Sequence, residues 1–132
     1  TECPDYEIYV TGHSLGGALA TLYGYELSKV ISNNVTVVSF ASPRVGNTPF
    51  RREYDASPNL MHYRITHNRD MVTAAPSINY YHTGVAVALK ETTYSVYYTY
   101  DYSWYKYSLF RCWSAGDHSM DLYYKCLLKN KW

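Results

Sequence analysis

Apolar and polar positions divide the chain into short strand-like runs and longer helix-like ones. The run Val35-Thr36-Val37-Val38-Ser39-Phe40-Ala41 is apolar and β-branched enough for a strand buried within a parallel sheet. Runs of similar character predict further strands over residues 7–11, 61–66, 83–89 and 93–100. Helices are predicted over 17–31 and 49–56, the second with Asn47 as its cap and Pro49 in its first turn. Near the C-terminus, Met120, Tyr123, Tyr124 and Leu127 recur at helical spacing within 119–128. Lys125, Lys129 and Lys131 suit the negative end of that helix. Strand and helix alternate as far as Thr66, a βαβαβ order that predicts a parallel sheet with right-handed crossovers. The expected fold class is therefore α/β: a mostly parallel sheet flanked by helices, with an antiparallel tyrosine-rich hairpin toward the C-terminus.

The chemistry is concentrated where the first strand meets the first helix. Gly12-His13-Ser14-Leu15-Gly16-Gly17 follows the strand-like Glu7-Ile8-Tyr9-Val10-Thr11 and precedes the helix-like Ala18-Leu19-Ala20-Thr21-Leu22. Strand, Gly-x-Ser-x-Gly, helix is the order of the nucleophile elbow of α/β-hydrolases. A serine on so sharp a turn takes a strained backbone, and flanking side chains must be absent where the turn passes its neighbours. Gly12 and Gly16 are expected to supply that absence, and Gly17 to let the helix pack against the preceding strand. The helix N-terminus would then point at Ser14, making the Leu15 N–H an oxyanion donor.

The segment Tyr9-Val10-Thr11-Gly12-His13-Ser14-Leu15-Gly16-Gly17-Ala18-Leu19-Ala20 resembles the nucleophile region of the class 3, fungal-type triacylglycerol lipases. The likeness continues through Val38-Ser39-Phe40-Ala41-Ser42-Pro43-Arg44-Val45-Gly46-Asn47. It recurs in Tyr63-Arg64-Ile65-Thr66-His67-Asn68-Arg69-Asp70-Met71-Val72 with Pro76, and in Tyr81-His82-Thr83-Gly84. A weaker echo is Asp117-His118-Ser119-Met120-Asp121-Leu122-Tyr123, whereas residues 91–111 are the least family-like. The resemblance implies an α/β-hydrolase fold and carboxylic-ester hydrolysis without cofactor or metal. It also implies that residues 1–132 form a single, N-terminally truncated unit, roughly the C-terminal half of a lipase domain. The first sheet strands, the lid and the second oxyanion donor would lie upstream. A parallel strand such as residues 7–11 normally needs neighbours on both edges and faces, which favours truncation over a minimal relative.

A serine hydroxyl becomes nucleophilic when an imidazole takes its proton, and that imidazole needs a carboxylate to hold its tautomer. In this fold the chain order is Ser, then acid, then His. Asp55, Asp70, Asp101, Asp117 and Asp121 all follow Ser14. Asp55 falls in a predicted helix and Asp101 in the tyrosine-rich hairpin, both badly placed. Asp70 follows the third strand directly, at the carboxyl edge where α/β sites assemble, and the family motif puts the acid there. Only His82 and His118 follow Asp70. His82 introduces a strand, and the family has a non-catalytic histidine at that point. His118 precedes the last helix, as the triad histidine does in lipases of this type. Asp117 and Asp121 are charged neighbours able to raise its pKa.

The remaining histidines read as packing residues. His62 and His67 point to opposite faces of a strand, so shared metal ligation is not expected. His13 is expected to support the elbow rather than transfer protons. Arg44 and Arg69 suit structural ion pairs better than recognition of a phosphate head group.

Composition adds bounds. With 12 basic and 11 acidic residues the net charge is +1, which gives no electrostatic footprint for nucleic acid. No apolar run approaches the length of a transmembrane segment. The 17 tyrosines crowd one stretch, with Tyr94, Tyr97, Tyr98, Tyr100, Tyr102, Tyr105 and Tyr107 together. They favour a hairpin held by cross-strand aromatic pairs over an acyl-binding surface. Cys112 and Cys126 bracket a short loop that a disulfide would close, worth about 3 kcal/mol in the chain-entropy model. Cys3 is the odd cysteine. Asn34-Val35-Thr36 is a glycosylation sequon in a predicted helix–strand turn and, with the family's habits, favours an extracellular protein. The expected function is hydrolysis of acylglycerols at a lipid–water interface by Ser14, Asp70 and His118, with Leu15 N–H in the oxyanion hole. The alternative is a catalytically inactive lipase-like fragment or lipid-binding protein.

Overall fold

The computed structural model describes residues 5–90, 93–97 and 113–130. The elements run β1 (Ile8–His13), α1 (Leu15–Val30), β2 (Val35–Phe40), α2 (Thr48–Asp55), β3 (Leu60–His67), β4 (Val85–Leu89), β5 (Tyr94–Tyr97) and α3 (Met120–Lys129). One sheet holds the strands in the order β1-β2-β3-β4-β5. The first four are mutually parallel, and β5 returns antiparallel to β4. The expected α/β class and its C-terminal hairpin are both present.

Strand alternation decides what each face buries. Along β2, Val35, Val37 and Ser39 are fully buried while Thr36, Val38 and Phe40 are half-buried. On the first face Val35 and Val37 pack with Ala20 of α1, joined by Val10, Leu27, Ile31 and Leu60. Gly24 allows that approach, since a Cβ there would fall on a Val37 methyl. On the same side the rings of Tyr25, Phe50, Tyr54 and His62 form a contiguous cluster, Tyr25 stacked on Tyr54 and the other pairs edge-on or tilted, which docks α2 against α1. On the second face Val38 and Phe40 join Ala41, Ile65, Val87, Leu89, Tyr123, Cys126 and Leu127, so α3 closes the core there.

Several boundaries differ from the sequence reading, for local reasons. α1 begins at Leu15 rather than residue 17, because the N–H groups of Gly17 and Ala18 already bond to the Ser14 carbonyl. Asn47 does cap α2, its side-chain oxygen accepting from Phe50 N at 3.1 Å. The β3–β4 connection is a parallel crossover without an α-helix, carried by a 3-10 turn at Val72–Ala74. Arg44 braces that connection by donating to the carbonyls of Ala74 and Pro76 at 2.6 and 2.8 Å. In the hairpin Tyr94 registers with Leu89 and Tyr97 with Ala86. Tyr98, Tyr100, Tyr102, Tyr105 and Tyr107 lie outside the described residues, as do Asp101, Cys3 and Cys112. No described helix is long and apolar enough to cross a membrane.

Candidate active site

The site forms at the carboxyl ends of the parallel strands. Ser14 sits at the junction of β1 and α1 with φ 58° and ψ −125°, a strained conformation for any residue with a Cβ. Its N–H bonds to the Phe40 carbonyl at 2.9 Å, which ties the turn to the end of β2. The glycines divide the labour differently from the sequence reading. A Cβ on Gly12 would fall on the Gly16 backbone, so Gly12 is the sterically required residue. A Cβ on Gly16 would meet nothing within 4 Å. At Gly17 it would come within 2.9 Å of Ser42 Cβ and 3.1 Å of the Gly12 carbonyl, so this glycine fits the helix against β1 and the chain after β2. Intrahelical bonding starts with Gly17 N, which leaves the Leu15 N–H ahead of the first helical bond and aimed out of the helix end.

Asp70 follows β3 on a turn shaped by Asn68, whose φ of 43° suits asparagine. Its carboxylate is fully buried and held from several sides. Oδ1 accepts from Val72 N at 3.0 Å, and Oδ2 from the Tyr123 hydroxyl at 2.7 Å. His118 closes a second 3-10 turn, Gly116–His118, just before α3. Its Nδ1 lies 3.0 Å from each Asp70 oxygen, and its Nε2 lies 2.8 Å from Ser14 Oγ. Residues 14, 70 and 118 thus meet in one continuous hydrogen-bonded line. With Nδ1–H donating to Asp70, Nε2 presents a lone pair to the serine hydroxyl. That geometry can take a proton from Oγ and return it to a leaving group.

Two neighbours were not assigned these roles from sequence. Tyr123 is fully buried, and its hydroxyl accepts from His67 N at 3.0 Å while donating to Asp70. Helical spacing marked it as a core residue, and a buried phenol's need of a partner was the available signal. Tyr123→Phe is expected to lower the unfolding free energy by about 1–3 kcal/mol, because the buried His67 N–H loses its acceptor. Urea denaturation checks this, and a variant as stable as its parent removes Tyr123 from the network. His13 braces a second place beside the elbow. Its Nε2–H donates to the His118 carbonyl at 3.0 Å and its ring lies 4.7 Å from the His118 ring, so it supports the histidine turn as well as the elbow.

The alternatives are occupied elsewhere. His82 Nε2 donates to the Thr73 carbonyl at 2.7 Å. His62 sits between Ser39 Oγ at 2.8 Å and Thr83 Oγ1 at 3.1 Å. Among the described residues no group of three or more His, Cys, Asp and Glu is arranged to hold a metal ion. Asp121 pairs with Lys125 at 2.6 Å along α3, and Asp117 accepts from Arg69 N at 3.2 Å. The carboxylates expected to act on His118 thus have other partners. The Asp55 side chain accepts from Gly84 N at 2.7 Å, and the Arg69 guanidinium lies over the Trp113 ring.

Burial, reinforced by the Arg64 charge, holds the His62 imidazole well below the usual histidine range. His82 is lowered in the same way, by burial first and then by Arg64 and Arg44. The unfolded chain therefore protonates before the folded one. This contribution is complete above about pH 6.5 and is lost as pH falls, by up to about 1.4 kcal/mol per pH unit for each ring. His82→Gln should make the loss of stability between pH 7 and pH 5 shallower in urea titrations. A slope equal to the parent's would show that His82 does not contribute.

Comparison with known proteins shows the family. A family model described as lipase (class 3) matches residues 1–80. A lipase of Rhizopus niveus is 37% identical over 102 residues, covering 73% of this chain and 26% of its own length. Phospholipase A1-II 1 of Oryza sativa subsp. indica is 35% identical over 94 residues, covering 67% of this chain and 23% of its own length. The crystal structure of a lipase from Rhizopus microsporus var. chinensis superposes with a TM-score of 0.76 at 32% identity, over 87% of this chain and 43% of that one. The chain thus spans about a quarter of the length of these curated relatives and under half of the solved lipase. The strained Gly-x-Ser-x-Gly turn, the carboxyl-edge site and these matches agree: the chain belongs to the class 3 lipase family.

Proposed function

We propose that these residues carry the nucleophile, acid and base of a carboxylic-ester hydrolase acting on acylglycerols. The supporting observation is the line from Ser14 Oγ through His118 to Asp70, with separations of 2.8 and 3.0 Å. Ser14 Oγ attacks the ester carbonyl as His118 Nε2 takes its proton, and the Asp70 carboxylate stabilises the resulting imidazolium. Leu15 N–H donates to the oxyanion. Collapse breaks the ester C–O bond, and the departing alcohol takes the proton from His118. Water, deprotonated by the same imidazole, then releases the fatty acid from the acyl-enzyme.

Acylglycerols are favoured over phospholipids by the two arginines weighed as phosphate ligands. Arg44 donates to main-chain carbonyls and the Arg69 guanidinium lies over the Trp113 ring. Secretion is supported by the sequon, whose Asn34 is exposed between α1 and β2. The chain is read as part of one larger hydrolase domain, consistent with its covering 43% of the solved lipase. That coverage also favours a second reading, a lipase-like chain without turnover, since loss of one oxyanion donor costs about 10²–10³ in rate. The test is hydrolysis of a short-chain nitrophenyl ester by the full gene product, with the 132-residue chain assayed beside it. Turnover by the full product is the expected result. Inactivity of both supports the second reading.

A further inference from the structure

Asp70 and His118 stand on two irregular turns, so something other than helix or sheet pairing must keep them in register. Backbone bonds supply part of the tie. Ser114 N donates to the Arg69 carbonyl at 3.0 Å, Met71 N to the Ser114 carbonyl at 3.4 Å, and Asp70 and Ser114 form an isolated parallel bridge. Asp117 adds a side chain to this junction. Its Oδ2 accepts from Arg69 N at 3.2 Å, and its own N–H donates to Ser114 Oγ at 3.1 Å. Its Oδ1 stands 3.7 Å from Nδ1 of the buried His67. The Asn68 amide nitrogen faces His67 Nε2 at 3.1 Å, so Nε2 accepts and the ring proton belongs on Nδ1, toward Asp117. The Tyr123 ring packs against His67, tilted, with centroids 5.6 Å apart.

We propose that Asp117 is a positioning residue for the ester hydrolysis proposed above. It anchors the turn carrying His118 to the turn carrying Asp70, so that Nδ1 meets both Asp70 oxygens. Asp117 acts through its neighbour and touches neither Ser14 nor the ester. The inference rests on the reading of His118 as the base. A misplacement of about 1 Å in such a site costs up to about 10² in rate.

The test uses the full gene product. Asp117→Ala is expected to lower kcat about 10–100-fold with KM within about twofold of the parent's. Asp117→Asn, which still offers an oxygen to Arg69 N, should recover kcat to within about fivefold of the parent. An Ala variant with more than half the parent's kcat, or an Asn variant no better than Ala, overturns the proposal. If the Ala variant does not fold, Ser114→Ala removes only the acceptor of the Asp117 N–H and should lower kcat about threefold at unchanged KM. An unchanged kcat there also overturns it. The low-field proton resonance of His118 Nδ1–H separates this inference from the esterase reading. In a parent without turnover, a resonance erased by Asp117→Ala and kept by Asp117→Asn removes the esterase and retains the positioning role. A resonance indifferent to both variants removes the positioning role.

Discussion

Ser14→Ala is expected to bring ester hydrolysis by the full gene product close to background, a fall of about 10⁶ if the residue acts as triad nucleophiles do elsewhere. The change deletes a single oxygen. The strained backbone of residue 14, its N–H bond to Phe40 and the carbonyl that starts α1 all remain. The loss should therefore appear in kcat while unfolding stays close to the parent's. Some rate above the uncatalysed reaction should persist, since the oxyanion donor and the binding surface are untouched. More than a tenth of the parent's activity in the variant would exclude Ser14 as nucleophile. A fluorophosphonate that labels the parent and not the variant would support the assignment without reference to any particular ester.

His118→Ala should cost as much as the serine change, about 10⁶, because nucleophile and base act as one unit. His82→Ala should retain at least a tenth of the parent's turnover. The two histidines separate on their partners. His118 joins Ser14 Oγ to the Asp70 carboxylate, whereas His82 donates to the Thr73 carbonyl and is held neutral by burial and by Arg64 and Arg44. Losing His82 leaves the Thr73 carbonyl without that donor, a stability cost of about 1–3 kcal/mol. Steady-state kinetics on both variants, with thermal unfolding beside them, distinguishes the two kinds of damage. A larger kinetic loss from His82→Ala than from His118→Ala would reverse the assignment of the base.

What could be read along the chain was read where a physical constraint acts over a few residues. The elbow is one case. Its glycine and serine satisfy backbone limits that do not depend on distant contacts, and only the split between Gly12 and Gly16 needed coordinates. The Asn47 cap and the apolar β2 run were legible for the same reason, whereas the acid and base were read from chain order and the family resemblance. Tyr123, His13 and Asp117 were visible as residues but not as partners. Each works through a hydrogen bond spanning a long stretch of chain: Tyr123 to Asp70, His13 to the His118 carbonyl, Asp117 to Arg69 N. Side-chain direction across turns decides such pairs, and turns carry no period from which direction can be inferred.

The division follows from range. By itself, the sequence determined the α/β alternation and the strained serine, because these depend on local sterics and apolar periodicity; chain order together with the family resemblance pointed to the candidate acid and base. Tertiary structure alone decided that residues 14, 70 and 118 meet within hydrogen-bond distance, and what steadies them. Their meeting depends on the parallel register of β1, β2 and β3 and on two irregular turns tied at Asp70 and Ser114. A shift of one residue in any of these would move the imidazole off the serine while leaving every local signal unchanged.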